Sequence, residues 1–234
     1  VVFDTETGSA DDVHVTDDSG FVRLAAYSVN GAEPVTTTDI AGELIPLLER
    51  ADTIVGHNIV QYDLPVLQRL YGLDVGALIK AGKVRDTLTM SRLAAGGDRS
   101  LKYNLDAVAR RCGVDGKLLA GSESALKALA KQYGGFDKIP VDNSEYVEYA
   151  LQDVRANVAV YEKLVPATIE AVGEDYLLRE HEKMHALSVV ESHGVRVDTA
   201  KVEEFLAEEA AVVSEIRAWL VSTVGIPDKG KKPW

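Results

Sequence analysis

Val1-Val2-Phe3-Asp4-Thr5-Glu6 opens the chain, and the fold is decided by how these residues are read. The first three are apolar and largely β-branched, so they read as a buried strand that delivers Asp4 and Glu6 at its carboxyl end. Side chains two apart on a strand point the same way, so both carboxylates can reach one metal ion or a metal pair. Spacing alone says little: with acids at 37 of 234 positions, about six acid-x-acid pairs arise by chance. Position says more, because a carboxylate pair at the end of a buried strand is costly without a cation. The first 20 residues hold six acids (Asp4, Glu6, Asp11, Asp12, Asp17, Asp18) and neither Lys nor Arg.

Outward from this strand, Gly8 to Gly20 reads as a loop rich in Asp, Ser and Gly. Phe21–Val29 and Pro34–Thr38 read as strands joined through Asn30-Gly31, a dipeptide suited to the positive φ values of a tight hairpin. Asp39 caps a helix carrying Ile40, Leu44, Leu47 and Leu48, and Thr53–Gly56 is a short buried strand ending at His57-Asn58. Asp63-Leu64-Pro65 starts a helix, and Val84-Arg85 leads into Asp86-Thr87. Leu101–Cys112 and Ser122–Tyr133 read as helices. So does 144–165, with an apolar stripe at Val147, Leu151, Val154, Val158, Tyr161 and Val165 and with Pro166 as its stop. The expected fold class is α/β: a mixed sheet of three antiparallel strands followed by parallel strands, flanked by helices. Two long helices, 174–193 and 199–224, follow, separated by Gly194 and capped by Asp198. This predicts a domain over 1–168 and a helical extension over 169–234, the latter too small to stand alone and read as the start of a larger neighbour.

The formal net charge is -12, from 25 Lys+Arg against 37 Asp+Glu, and the single cysteine, Cys112, excludes an internal disulfide. No apolar run approaches the roughly 20 residues of a membrane span, and no signal-peptide pattern opens the chain. These features predict a cytoplasmic protein without a membrane partner. An acidic total argues against strong non-specific duplex binding, which needs clustered Lys and Arg.

Two further stretches carry chemistry. Gly56-His57-Asn58-Ile59-Val60-Gln61-Tyr62-Asp63 lies where a strand hands over to a helix; Asn58 offers an amide, and Asp63 is either a site carboxylate or simply the helix N-cap. Tyr149-x-x-x-Asp153 places a phenol and a carboxylate one helical turn apart. Tyr133/Asp137 and Tyr176/Glu180 repeat that spacing. Taken in order, Asp-x-Glu, Asn-x-x-x-Tyr-Asp and Tyr-x-x-x-Asp resemble the three exonuclease motifs of the DEDD superfamily, and Tyr149 points to its tyrosine-type branch. Asp86-Thr87 and Leu101-x-x-x-Leu105-Asp106 resemble the family's linking segments.

The resemblance covers about residues 1–166 and implies a ribonuclease H-like fold. It implies that Asp4, Glu6, Asp63 and Asp153 hold two divalent cations, Mg²⁺ or Mn²⁺, and that Tyr149 orients the attacking water. It further implies that Thr5, Thr7, His57, Asn58 and Tyr62 contact the substrate, a single-stranded or frayed DNA 3′ end. Glu180, Leu187 and Val190-Glu191-x-x-Gly194-Val195-x-Val197-Asp198 are similar to the segment that joins the proofreading and polymerase domains of family A DNA polymerases. A polymerase domain in cis is therefore expected beyond the C-terminus. Ala10 stands where relatives carry a larger apolar wedge. An RNA 3′ exonuclease resembling ribonuclease D, and a catalytically silent nucleic-acid-binding scaffold, are the alternative readings.

Other signals stay outside this set. His181-Glu182-Lys183-Met184-His185 spells the H-E-x-x-H of zinc peptidases, but no third ligand stands at the expected offset, so coincidence is expected. Lys229, Lys231 and Lys232 read as a frayed basic terminus, and Arg99 and Lys102 could lie beside a DNA strand.

Overall fold

The computed structural model describes residues 1–8, 17–114 and 123–227. Ala10, most of the acidic loop and the lysines at 229, 231 and 232 lie outside the described residues. The chain falls into two compact units, Val1–Ser192 and His193–Trp234.

The first unit is an α/β fold around a five-stranded mixed sheet. Its strands are β1 (Val2–Thr7), β2 (Val22–Ser28), β3 (Val35–Thr37), β4 (Ile54–Gly56) and β5 (Val84–Asp86), in the order β3-β2-β1-β4-β5. β1 pairs antiparallel with β2, and β2 with β3; β1–β4 and β4–β5 are parallel. The expected hairpin is present: Asn30 (φ 51°) and Gly31 (φ 75°) both take positive φ, and the Ala32 N–H closes the turn on the Val29 carbonyl at 3.0 Å. β1 runs further than its apolar residues, through Asp4, Thr5 and Glu6 to Thr7. The antiparallel partner β2 satisfies the backbone there whatever the side chain, pairing Asp4 with Ala26 and Glu6 with Leu24.

Alternation along β1 sends neighbouring residues to opposite faces. Phe3 joins a core with Leu44, Leu48, Ile54, Leu64 and Leu67, from β4, α1 (Ile45–Arg50), α2 (Asp63–Tyr71) and the turn before α1. Val2 joins the other face, with Leu24, Ala26, Tyr146, Ala150 and Val154 beneath α7 (Ser144–Val172). Asp4 and Glu6 share the parity of Val2, so the strand aims both at α7. The remaining helices of this unit are α3 (Val75–Lys80), α4 (Thr87–Ala94), α5 (Leu105–Arg111), α6 (Glu123–Tyr133) and α8 (Glu174–His193). A third apolar cluster joins Met90 of α4, Val108 of α5, Val160 and Leu164 of α7 and Leu177 of α8.

Three expectations are corrected. α7 does not stop at Pro166 but continues to Val172, ending at Gly173 (φ 78°), whose N–H donates to the Ile169 carbonyl at 2.9 Å. Proline removes one helical hydrogen bond, and buried packing on either side of it, Leu164 and Thr168, outweighs that loss. The buried face of α7 is also rotated, running through Tyr146, Ala150, Val154, Asn157, Val160 and Leu164; small and amide side chains occupy it because they meet close neighbours. α5 starts at Leu105 rather than Leu101, since Asn104 is extended (ψ 156°) and the preceding Tyr103 carbonyl serves another partner.

The second unit carries α9 (Thr199–Trp219), continued by a wider turn over Leu220–Val224. Asp198 caps it as expected, accepting the Lys201 N–H at 3.1 Å. Among the described residues no helix is long and apolar enough to cross a membrane.

Candidate metal centre

β1 is longer than its parallel neighbour. Its register with β4 consists of Val2 opposite Val55, so the carboxyl half of β1 extends past β4 and its amides on that side lack a strand partner. Asp63, at the start of α2, fills the gap: its Oδ1 accepts the Thr5 N–H at 3.1 Å and the Thr5 hydroxyl as well. Asp63 is therefore not an N-cap; Tyr62 holds that position and makes no side-chain capping bond. Two residues further along β1, the Thr7 hydroxyl lies 2.6 Å from Tyr62 Oη. Threonines within the acidic strand thus fasten the β4–α2 junction beside it.

On the other face, Asp4, Glu6 and Asp153 of α7 each bring a carboxylate oxygen within 4.8 Å of one another. Asp63 stands beside this trio rather than in it, yet its charge is felt at both Asp4 and Glu6. Burial, then the Asp63, Glu6 and Asp153 charges, raise Asp4 well above the usual carboxylate range. Burial and the charges of Asp153 and Asp63 push Glu6 up to about 8. Asp63 and Asp153 both rise to about 6, chiefly through burial, which the Thr5 donors and the Tyr149 hydroxyl respectively oppose. Without a counter-charge these carboxylates repel one another and hold protons.

The Glu6 Oε1 atom is buried and has no hydrogen-bond partner among the described residues. An orphaned carboxylate oxygen inside an all-oxygen, multiply anionic pocket fits a hard dication such as Mg²⁺ or Mn²⁺ and does not suit a soft metal. Tyr149, one turn before Asp153, is half-buried beside the trio. Burial and the charges of Asp153, Glu6 and Asp4, in that order, raise its hydroxyl far above the ordinary phenol range. It stays a neutral hydroxyl that can donate one hydrogen bond and accept others.

The junction carrying Asn58 is braced from behind. Asn58 takes a left-handed conformation (φ 64°), which asparagine tolerates better than most residues. Its N–H and that of Val60 both donate to the Asp86 carboxylate, each at 3.1 Å. The same carboxylate caps α4, accepting the Leu88 N–H at 2.9 Å and the Thr89 N–H at 3.3 Å. Asp86 is 1% exposed, so one buried side chain ties the site loop to the next helix. The Asp86 N–H in turn donates to His181 Nε2 at 2.8 Å, and His181 Nδ1–H donates to the Leu177 carbonyl at 2.8 Å. With both nitrogens engaged, His181 has no lone pair left for a metal, which disposes of the H-E-x-x-H pattern. His57 is engaged likewise: Nε2–H donates to the Tyr103 carbonyl at 2.9 Å, and Nδ1 lies 3.0 Å from the Thr87 hydroxyl.

The structure thus brings Asp4, Glu6, Asp153 and Tyr149 together, with Asp63 adjacent through Thr5. It places Thr7, Tyr62 and Asn58 on the same strand end and junction, and gives His57 two internal partners. Sequence reasoning had no role for Asp86 beyond a linking segment, nor for His181 or Asn157, whose Oδ1 accepts the Thr87 hydroxyl at 2.8 Å. The one local signal was Asp86 directly before a helix, the usual place of an N-cap. No protein-family model matches the chain, and no curated protein matches it, so a functional reading rests on the motifs and on this geometry.

Proposed function

We propose that this chain is a metal-dependent 3′→5′ exonuclease of the DEDD superfamily's tyrosine branch, built on a ribonuclease H-like fold. In this reading it releases nucleotides from DNA 3′ ends and forms the proofreading part of a family A DNA polymerase. The observation that carries the reading is the convergence of three carboxylates, Asp4, Glu6 and Asp153, around a buried Glu6 oxygen that has no partner among the described residues. A purely structural cluster would be expected to satisfy that oxygen with a donor.

Asp4, Glu6 and Asp153, with Asp63 beside them, are the residues that would hold the dications. Bound there, such ions would supply a lowered water pKa and neutralise charge developing on the phosphodiester. The protein's own residues do the rest. Thr5 fixes Asp63 by two hydrogen bonds, so the carboxylate is positioned before substrate arrives. Tyr149 acts as an orienting hydroxyl rather than a base, because the surrounding carboxylates keep its proton in place. Asn58, held left-handed by Asp86, presents an amide side chain without a hydrogen-bond partner among the described residues.

Replacing Asp4 and Glu6 together by Ala is expected to abolish Mg²⁺-dependent nucleotide release while circular dichroism stays that of the wild type. Undiminished degradation by the double variant would sink the reading. Release from matched DNA and RNA single strands separates the proofreading reading from an RNA 3′ exonuclease.

A further inference from the structure

Where the chain as a whole carries -12, the segment from Arg92 to Arg111 holds five bases (Arg92, Arg99, Lys102, Arg110, Arg111) against two acids (Asp98, Asp106), a local net of +3. Arg110 is 3.6 Å from Asp106, one turn away on the helix. The Asp98 Oδ1 is taken up locally by the Ser100 N–H at 2.8 Å and the Ser100 hydroxyl at 2.7 Å. Arg92, Arg99, Lys102 and Arg111 have no ion-pair partner among the described residues. Two of these guanidiniums are organised all the same: Arg92 and Arg111 stack on the Tyr103 ring, at 5.7 and 5.1 Å from its centroid. The ring is pinned at both ends, its hydroxyl donating to the Asp98 carbonyl at 2.8 Å and its backbone carbonyl accepting from His57 Nε2. An open cleft of about 380 Å³ lies against it, lined by Arg92, Gly97, Asp98, Arg99, Leu101 and Tyr103.

Arg111 gives one edge N–H, on Nη1, to the Lys102 carbonyl, whereas Arg92 stacks with its edge N–H groups uncommitted among the described residues, and such an edge matches phosphate oxygens two at a time. Arginines without an ion-pair partner among the described residues, set around an aromatic ring and a cleft in an acidic chain, call for an anion with a flat or flexible body. The patch is too small for a duplex footprint, and a cleft of this size takes about one nucleotide. We propose that the Arg92–Tyr103–Arg111 cleft is a subsite for an internal phosphodiester of a single strand. His57 ties it to the junction that carries Asn58, and in the exonuclease reading the strand bound here is the one whose end is cut. This rests on the exonuclease reading for its direction, but strand binding is measured separately from cleavage.

The test uses the full chain in EDTA and a fluorescein-labelled oligothymidylate, followed by anisotropy over a salt series. The Arg92→Ala/Arg99→Ala double variant is expected to bind at least tenfold more weakly. Its slope of log affinity against log salt should fall by about 1.4, from roughly 0.7 per phosphate contact on a single strand. Arg99→Ala alone, at an exposed position, guards against a folding effect and should lose about half of that slope, and Arg99→Lys should restore it. Wild-type affinity and slope in Arg99→Ala and in the double variant would overturn the subsite even if nucleotides are released normally. Arginine-dependent binding by a chain that releases no nucleotide would leave the subsite standing and overturn the exonuclease reading.

Discussion

His181 Nε2 accepts the backbone N–H of Asp86 at 2.8 Å, so a residue of α8 holds the strand end whose carboxylate holds the Asn58 junction. His181→Leu leaves that N–H buried without an acceptor, and a loss of about 1–3 kcal/mol is expected from urea unfolding. His181→Gln, which keeps an acceptor, should lose less. Burial lowers the His181 pKa from the ordinary 6.5, with Asp86, Arg85 and Glu180 the charged groups that act on it. The unfolded chain therefore takes up the proton first as pH falls. The contribution is full above about 6.5 and is lost below it, and His181→Leu should lack this acid-side decline. An unchanged decline in the variant would remove His181 from the account.

Gly56 is required by close approach. A Cβ there would come within 2.1 Å of Ile59 Cγ2 and 3.0 Å of the Phe3 carbonyl oxygen, which is backbone and cannot swing away. Gly56→Ala should destabilise by about 1–3 kcal/mol and weaken Mg²⁺ binding by parting β4 from β1. A midpoint within about 0.5 kcal/mol of wild type would show that the junction yields without cost.

The carboxylate cluster makes the metal-free protein pH-sensitive in the opposite sense to His181. Glu6 at about 8 and Asp63 and Asp153 at about 6 lie above their ordinary values of 4.5 and 3.8. The unfolded chain loses these protons first as pH rises, so stability falls from about pH 4 through about 8. A shift of two units corresponds to roughly 3 kcal/mol. Added Mg²⁺ should raise the melting temperature little at pH 5 and several degrees at pH 8. Glu6→Gln should melt higher than wild type in EDTA at pH 8 yet gain nothing from Mg²⁺. Equal Mg²⁺ effects at the two pH values would contradict the electrostatic account.

Tyr149→Phe separates orientation from proton transfer. An orienting hydroxyl predicts nucleotide release reduced about 10- to 100-fold, with the variant's pH profile parallel to that of wild type up to pH 10. A phenol acting as base would give wild type an alkaline rise that Phe lacks, and that difference would refute the assignment.

Much of the architecture was legible because it rests on local chemistry. Asn30-Gly31 supplied the hairpin through its tolerance of positive φ, and Asp39 and Asp198 cap helices as short acceptors next to free amides. The period-two placement of Asp4 and Glu6 put both on one face, and the Tyr149–Asp153 spacing put both on one side of α7. What sequence missed were competitions won at long range. Pro166 looked like a stop, yet the packing of Leu164 and Thr168 carries α7 past it. Leu101 looked like a helix start, yet the Tyr103 carbonyl is committed to His57.

By itself, then, the sequence determined which carboxylates exist, their facing along each element and the elements that carry them, because backbone periodicity depends on neighbours within a few residues. Only the tertiary structure decided that Asp153 closes on Asp4 and Glu6 while Asp63 turns to Thr5, leaving one Glu6 oxygen buried and without a partner among the described residues. It alone decided that His181 and Asp86 brace that arrangement. Those outcomes depend on how far β1 outruns β4 and on how α7 and α8 pack, lengths and contacts that no local pattern encodes.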